Sequence, residues 1–365
     1  MFRRALLAGA AVAILSGFAA QADILIATAG PMTGEYAAFG VQMKAGATQA
    51  VADINKAGGL LGQQVRLEVG DDACDPRQAV SVANKLASDG VKMVAGHYCS
   101  GSSIPASKVY ADEGILEISP ASTNPDYTDK GSWNTFRVCG RDDQQGKVAG
   151  AYLAAHYKND KIAILDDNSA YGKGLADQTR LALNAAGVKE ILDEHYVAGE
   201  KDYSALVSRL KQAGVQVVYL GGYHTEAGLI ARQAKEQGLN VQIISGDALA
   251  TNEFASIAGP AGDGFMFTFP PDPRLNPAAA EVVNEFKATG YDPEGYTLYT
   301  YAAVQIWAEA VKKAGTVDPQ KVAATLKADG PWKGVTGEVS FDKKGDITEP
   351  AYVFYAWKNG KFAEM

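Results

Sequence analysis

The chain has 365 residues, a formal charge of −8 and three cysteines. That length suits two domains. The acidic balance, with no Lys/Arg cluster longer than two, excludes the basic patch that nucleic acid or an anionic membrane would need.

Residues 1–22 have the make-up of a secretory signal. Arg3 and Arg4 precede an apolar run too short for a comfortable membrane span, and Ala20-Gln21-Ala22 is a small-x-small cleavage site. No cysteine sits beside that site, which argues against a lipid anchor. No later stretch approaches the roughly 18 uninterrupted apolar residues of a spanning helix. We therefore expect an exported, periplasmic protein without membrane insertion. Losing two arginines and no acids would take its charge from −8 to −10. In an oxidising compartment Cys74, Cys99 and Cys139 read as one pair and one leftover.

From residue 23 the chain alternates β-rich apolar runs with helical spacing. "DILIATAG" reads as a strand, and "AFGVQMKAGATQAVADINKAGG" as a helix with a Gly-Gly stop. "QQVRLEVGDDA" is a strand. "PRQAVSVANKLASDG" is a helix between Pro76 and Gly90. "VKMVAGHY", "SSIPASKVYADEG" and "ILEISPAS" follow as strand, short helix and strand. This alternation predicts βαβ units and a parallel sheet.

The rhythm restarts near "FRVCGRDDQQG" (136–146). "KIAILDDN", "KEILDEHYV", "VQVVYLGGY" and "VQIISG" are strands. "AYGKGLADQTRLALNAAG", "YSALVSRLKQAG" and "TEAGLIARQAKEQG" are the helices between them. A proline-dense break, "FPPDPRLNP" (269–277), precedes two helices, "TYAAVQIWAEAVKKAG" and "PQKVAATLKADG". "TGEVSFDKKGD" and "AYVFYAWKNGKFAEM" read as strand pairs around turns. A third lobe of about 90 residues without a sheet is less natural than a return to the first lobe. We expect two similar α/β lobes, a cleft and three hinge crossings. The first lobe would be 23–140 plus 272–349, the second 141–271 plus 350–365.

In a parallel α/β sheet, ligands bind beyond the carboxyl ends of the strands, where helix N-termini point. Ser100 follows "VKMVAG" there, and Ala121, Ser122 and Thr123 follow "ILEIS". Tyr171, Tyr223 and Asp247 hold the matching places in the second half. Hydroxyls and backbone N–H groups of the first lobe suit a carboxylate. Asp247 opposite suits an ammonium, and the tyrosines supply walls with polar tips. Singly, such residues are more often helix caps or packing; the set carries the reading.

Cys74 and Cys99 end neighbouring strands and can meet if both strands end on the same side. A nucleophilic Cys99 is the rival, but it needs a base, and His97, His156, His195 and His224 show no paired spacing with it. Cys139 is then a buried free thiol. No phosphate-loop, dinucleotide, nucleophile-elbow, HExxH or CxxC motif is present, so no enzyme, metal or cofactor is expected.

As a set, "GPMTGEYAAFG", "AVADINKAGG", "GDDACDPRQAV", "GHYCSGSS", "YADEGIL", "AGEKDYSALVSRLKQAG" and "YLGGYHTEAG" resemble the periplasmic leucine/isoleucine/valine-binding proteins, over nearly all of 23–365. These serve ABC importers of branched-chain and related amino acids. The resemblance implies a type I two-lobe binding protein that clamps a free amino acid and docks, as a monomer, on a membrane permease. It implies that Ser100 and the Thr123 backbone hold the carboxylate. The Ala121 carbonyl, the Thr123 hydroxyl and Asp247 would hold the ammonium. Tyr171 and Tyr223 would close over the ligand, and Phe39, Tyr98 and Tyr296 would line the side-chain pocket. It also implies a Cys74–Cys99 disulfide. Aliphatic-specific members carry leucine at the position of Tyr98, glutamate at Asp247 and tyrosine at Phe39. These departures point away from leucine, towards alanine, proline, valine or a γ-amino acid. A sensor presenting an amino acid to a separate receptor is the alternative.

Overall fold

A computed structural model describes residues 23–365. The signal expectation falls on residues 1–22 and lies outside them. The first lobe opens with β1 (Ile24–Gly30), α1 (Ala37–Lys56), β2 (Val65–Asp71), α2 (Pro76–Ser88) and β3 (Met93–Gly96). It continues with α3 (Ser100–Asp112), β4 (Leu116–Ser119), the single turn α4 (Asp126–Asp129) and β5 (Thr135–Arg137). The five strands form one parallel sheet in the order β2-β1-β3-β4-β5. Their sequences explain it. β1, β3 and β4 are short runs buried along their length, as strands covered by helices on both faces must be. Helix α2 begins at Pro76 behind Asp75, whose side chain accepts from the Arg77 and Gln78 N–H groups.

The chain then crosses to α5 (Asp142–His156), β6 (Ile162–Asp166), α6 (Ala170–Ala185), β7 (Leu192–His195) and α7 (Ser204–Ala213). β8 (Val217–Gly221), α8 (His224–Glu236), β9 (Gln242–Ser245), α9 (Asn252–Ala258) and β10 (Met266–Phe269) follow. After β10 it crosses back. α10 (Ala280–Ala288), α11 (Thr297–Ala314) and α12 (Pro319–Ala328) lead to the ribbon of β11 (Trp332–Gly334) and β12 (Gly337–Val339). Helix α11 lies along α1, and α12 on β4. Gly46 permits the α1–α11 approach, because a Cβ there would stand 2.1 Å from the Thr297 carbonyl oxygen. A third crossing brings β13 (Val353–Lys358) and β14 (Lys361–Glu364) to the second sheet, ordered β14-β13-β10-β9-β8-β6-β7. β13 runs antiparallel to both β10 and β14. The hairpin turns at Asn359-Gly360, with φ of 51° and 73°, the left-handed pair that a tight turn demands.

The architecture is α/β in two lobes, as the alternation implies. Several details differ. Helices α9 and α10 lie where no helix was expected, and the strand of TGEVSFDKKGD pairs with β11 ahead of it, leaving only the Phe341–Ile347 bridge across its own turn. Helix α3 starts at Ser100, two residues before the expected segment. β10 is a real strand of four residues squeezed against the proline-rich break. Helix α5 occupies the stretch read only as a restart. Its sequence, DDQQGKVAGAYLAAH, lacks a clear apolar stripe because it packs on α6 through small residues. A Cβ on Gly146 or Gly150 would come within 2.6–2.8 Å of α6.

Candidate functional site

The carboxyl ends of the two sheets face each other, and five β–α connections, with Phe39 on α1 and Tyr296 ahead of α11, supply the site. After β3 the chain runs through His97, Tyr98 and Cys99 into α3. The His97 ring is fixed between Asp72 (2.5 Å) and the Tyr110 hydroxyl (2.9 Å), all buried. Asp72 also accepts from the Cys74 N–H at 2.8 Å. Cys74 and Cys99 are disulfide-bonded, with Cα atoms 5.6 Å apart. In the chain-entropy picture this loop closure stabilises by about 3 kcal/mol. Cys139 is free and buried, and burial pushes its thiol pKa up, so it is no nucleophile.

Ser100 is the first residue of α3, where the Ser100 and Gly101 N–H groups have no partner among the described residues. Its Oγ accepts from the Asn124 N–H at 3.3 Å. After β4, the Ala121 carbonyl and the Thr123 N–H have no partner among the described residues, and neither has the buried Thr123 hydroxyl. Ser122 behaves differently. Its hydroxyl donates to the Tyr98 carbonyl (2.9 Å), its N–H to Ser119 Oγ (2.9 Å), and its carbonyl accepts from Arg137 (2.6 Å). All three of its polar groups build the loop, so Ser122 shapes the site that its neighbours face.

From the second sheet come Tyr171 at the start of α6, Tyr223 before α8, and Asp247 after β9. The Asp247 carboxylate is buried and accepts from the Tyr171 hydroxyl at 2.9 Å and from the Tyr296 hydroxyl. Its partners are neutral groups, not cations. Burial pushes its pKa up, against the pull of the bonds from Tyr296, Gln145 and Tyr171. Tyr296 belongs to the segment that returns to the first lobe, and the Gln42 side chain accepts from its N–H at 2.9 Å. Around this acid the aromatics close. Phe39 stacks on Tyr98 (4.3 Å between centroids), Tyr98 meets Tyr296 edge-on (5.3 Å), and Tyr171 lies 5.1 Å from Tyr223. Phe39, Tyr98, Tyr171, Tyr223, Asp247 and Tyr296 thus converge, with Ser100, Ala121 and Thr123 at the carboxyl ends of β3 and β4.

Sequence reasoning missed the groups that join the lobes beside this centre. Tyr36 stacks on Tyr223 (4.3 Å) and donates to Glu226 at 3.2 Å. The Thr225 hydroxyl donates to the Glu35 carbonyl at 3.0 Å, and Lys201 pairs with the Glu35 carboxylate. Deeper, the Asn124 amide donates to the Ala170 carbonyl. Glu35, Tyr36, Lys201, Thr225 and Glu226 all lie inside stretches quoted above; only tertiary structure shows that they meet. Among the described residues no group of three or more His, Cys, Asp or Glu could hold a metal ion, and no helix is long and apolar enough to cross a membrane.

This is the fold of a two-lobed binding protein. A family profile described as "Periplasmic binding protein" matches residues 23–361. A Leu/Ile/Val-binding protein homolog from Brucella suis is 55% identical over 360 residues, covering 98% of this chain and 97% of its own. A leucine-, isoleucine-, valine-, threonine- and alanine-binding protein from Pseudomonas aeruginosa is 44% identical over 354 residues, 96% and 95% of the two chains. Among solved structures, the substrate-binding protein of a branched-chain amino acid transporter from Streptococcus pneumoniae, in complex with isoleucine, superposes with a TM-score of 0.86. It is 28% identical, over 94% of this chain and 99% of that one. The chain belongs to the periplasmic binding protein family, in its branched-chain amino-acid-binding group. Its members are substrate-binding proteins, not enzymes.

Proposed function

We propose that this chain captures a free amino acid between its lobes and delivers it to an ABC permease, after export directed by residues 1–22. The observation that carries the reading is the buried Asp247 carboxylate, met by neutral side chains alone, across the cleft from the open donors of Ser100 and Thr123. A zwitterion supplies both missing charges: its carboxylate to the α3 N-terminus, Ser100 and the Thr123 N–H, its ammonium to Asp247, the Thr123 hydroxyl and the Ala121 carbonyl. Lobes bounded near 140, 271 and 349 would close on it. Moving a hinge from 1:99 to 99:1 takes about 5.5 kcal/mol. Two or three hydrogen bonds to charged groups, at about 1.5–3 kcal/mol each, are of that size.

The pocket favours a compact side chain. Tyr98 lies stacked on Phe39 where an aliphatic side chain would extend, and Asp247 reaches one methylene less far than glutamate. Alanine, proline, valine or a γ-amino acid fit this better than leucine. Native mass spectrometry of protein purified without denaturation should find such an amino acid bound. Titration calorimetry with alanine, proline, valine, leucine and γ-aminobutyrate then ranks them. Failure to bind any free amino acid would sink the proposal.

A further inference from the structure

The amino-acid reading leaves Asp142 without a task. It is the first residue of α5, where the chain enters the second lobe, and its side chain is fully buried. Neither of its carboxylate oxygens has a hydrogen-bond partner among the described residues. Its backbone N–H donates to the Thr123 carbonyl at 2.9 Å, which brings the two residues together. The Thr123 hydroxyl is a second unpartnered buried group beside it. Buried polar groups are almost always bonded, so an adjacent unpartnered acceptor and donor require an explanation.

An acid in the first turn of a helix suits the helix dipole, but that accounts neither for its full burial nor for the idle threonine beside it. Asp143, more exposed, already serves the same helix end while pairing with Arg141 at 3.1 Å. The nearest buried cation, Arg137, is engaged elsewhere. It pairs with Asp346 at 2.7 Å and donates to the Ser122 and Asn124 carbonyls. Burial and the Asp247 charge both push the Asp142 pKa up, and the Thr123 hydroxyl alongside works against them. A threonine hydroxyl has one proton to give and two lone pairs to offer. If its proton points at Asp142, its lone pairs are left for a donor in the cleft.

We infer that Asp142 is a positioning residue for the ligand's ammonium group, acting through Thr123: it accepts the hydroxyl proton and so holds the Thr123 oxygen towards the ammonium. The inference rests on the amino-acid reading above. Asp247 supplies the charge that the ammonium meets; Asp142 fixes the direction of a neutral acceptor beside it.

Calorimetry on a thermodynamic cycle tests this, using the amino acid that the wild-type chain binds best. Thermal unfolding of each ligand-free variant checks the fold. Asp142→Ala should weaken binding about tenfold, one hydrogen bond's worth. Asp142→Asn keeps an acceptor oxygen and should stay within about threefold of wild type. In a Thr123→Val background, Asp142→Ala should cost nothing further, because partners in one relay do not add. Asp142→Leu runs in parallel, so that a folding failure of the alanine variant leaves the cycle intact. Additive losses in the cycle, an asparagine variant as weak as alanine, or unchanged binding by Asp142→Ala would each overturn the inference. A wild-type chain that binds no amino acid would instead defeat the parent reading, before any variant is made.

Discussion

Two of the places where the lobes meet are built on opposite terms. At the centre, Asp247, Thr123 and the α3 N-terminus are buried and offer acceptors and donors that the protein itself does not fully match. At the mouth, Glu35, Tyr36, Lys201, Thr225 and Glu226 satisfy one another, partly in contact with solvent. The first place offers groups that a ligand could match. The second links the lobes through pairs that need no ligand to be satisfied. A desolvated, unmatched charge governs affinity and selectivity, whereas an exposed, matched pair adjusts only how readily the lobes part.

The largest expected effect tests the centre. Asp247→Ala should weaken amino-acid binding by roughly two to three orders of magnitude in calorimetry, because a buried counter-charge is lost. The same group sets a pH dependence. Burial raises its pKa above the ordinary 3.8 in the free protein, and the ammonium pairs only with the ionised form. Affinity should therefore be greatest where Asp247 is ionised. On acidification it should fall earlier than an ordinary carboxylate would predict, and the fall should be absent in Asp247→Asn. Next comes the pocket wall. Tyr98→Leu removes the ring stacked on Phe39 and should move the leucine-to-alanine affinity ratio towards leucine by about tenfold, the scale of one or two methylenes in an apolar pocket. Smallest is the mouth. Lys201→Ala, at an exposed pair, should change affinity by no more than about threefold, and 0.5 M salt, which screens such a pair (on the order of its Debye length), should erase the difference. A mouth variant with a larger effect than Asp247→Ala would erase the contrast between the two places.

Most of the frame was legible because it is periodic. Strand runs such as KIAILDDN and helices capped by Asp75 and Pro76 carry their signals within a few residues. That Ser100, Thr123, Tyr171, Tyr223 and Asp247 come together could be anticipated, because parallel sheets place their loops at one end. What escaped is non-local. Tyr36 and Glu226 lie 190 residues apart in the chain, and nothing in either neighbourhood announces the other. Helix α5 escaped because glycines at its α6 contact replace the apolar stripe that pattern reading needs. Ser122 sits beside Ala121 and Thr123, whose groups are left open, yet its own side chain turns inward to bond the loop.

The order of strands in the second sheet bears on how the molecule is made. β10 lies between β9 and β13, so residues 353–364, the last of the sheet to leave the ribosome, must arrive before its Met-Phe-Thr-Phe edge is covered. Until then that apolar edge is open to pairing with another chain. A nascent chain stalled or cut before the final hairpin would carry a finished first half and a sticky, incomplete second one. Quality control would have reason to detect that species, and export of a still-unfolded polypeptide would avoid it.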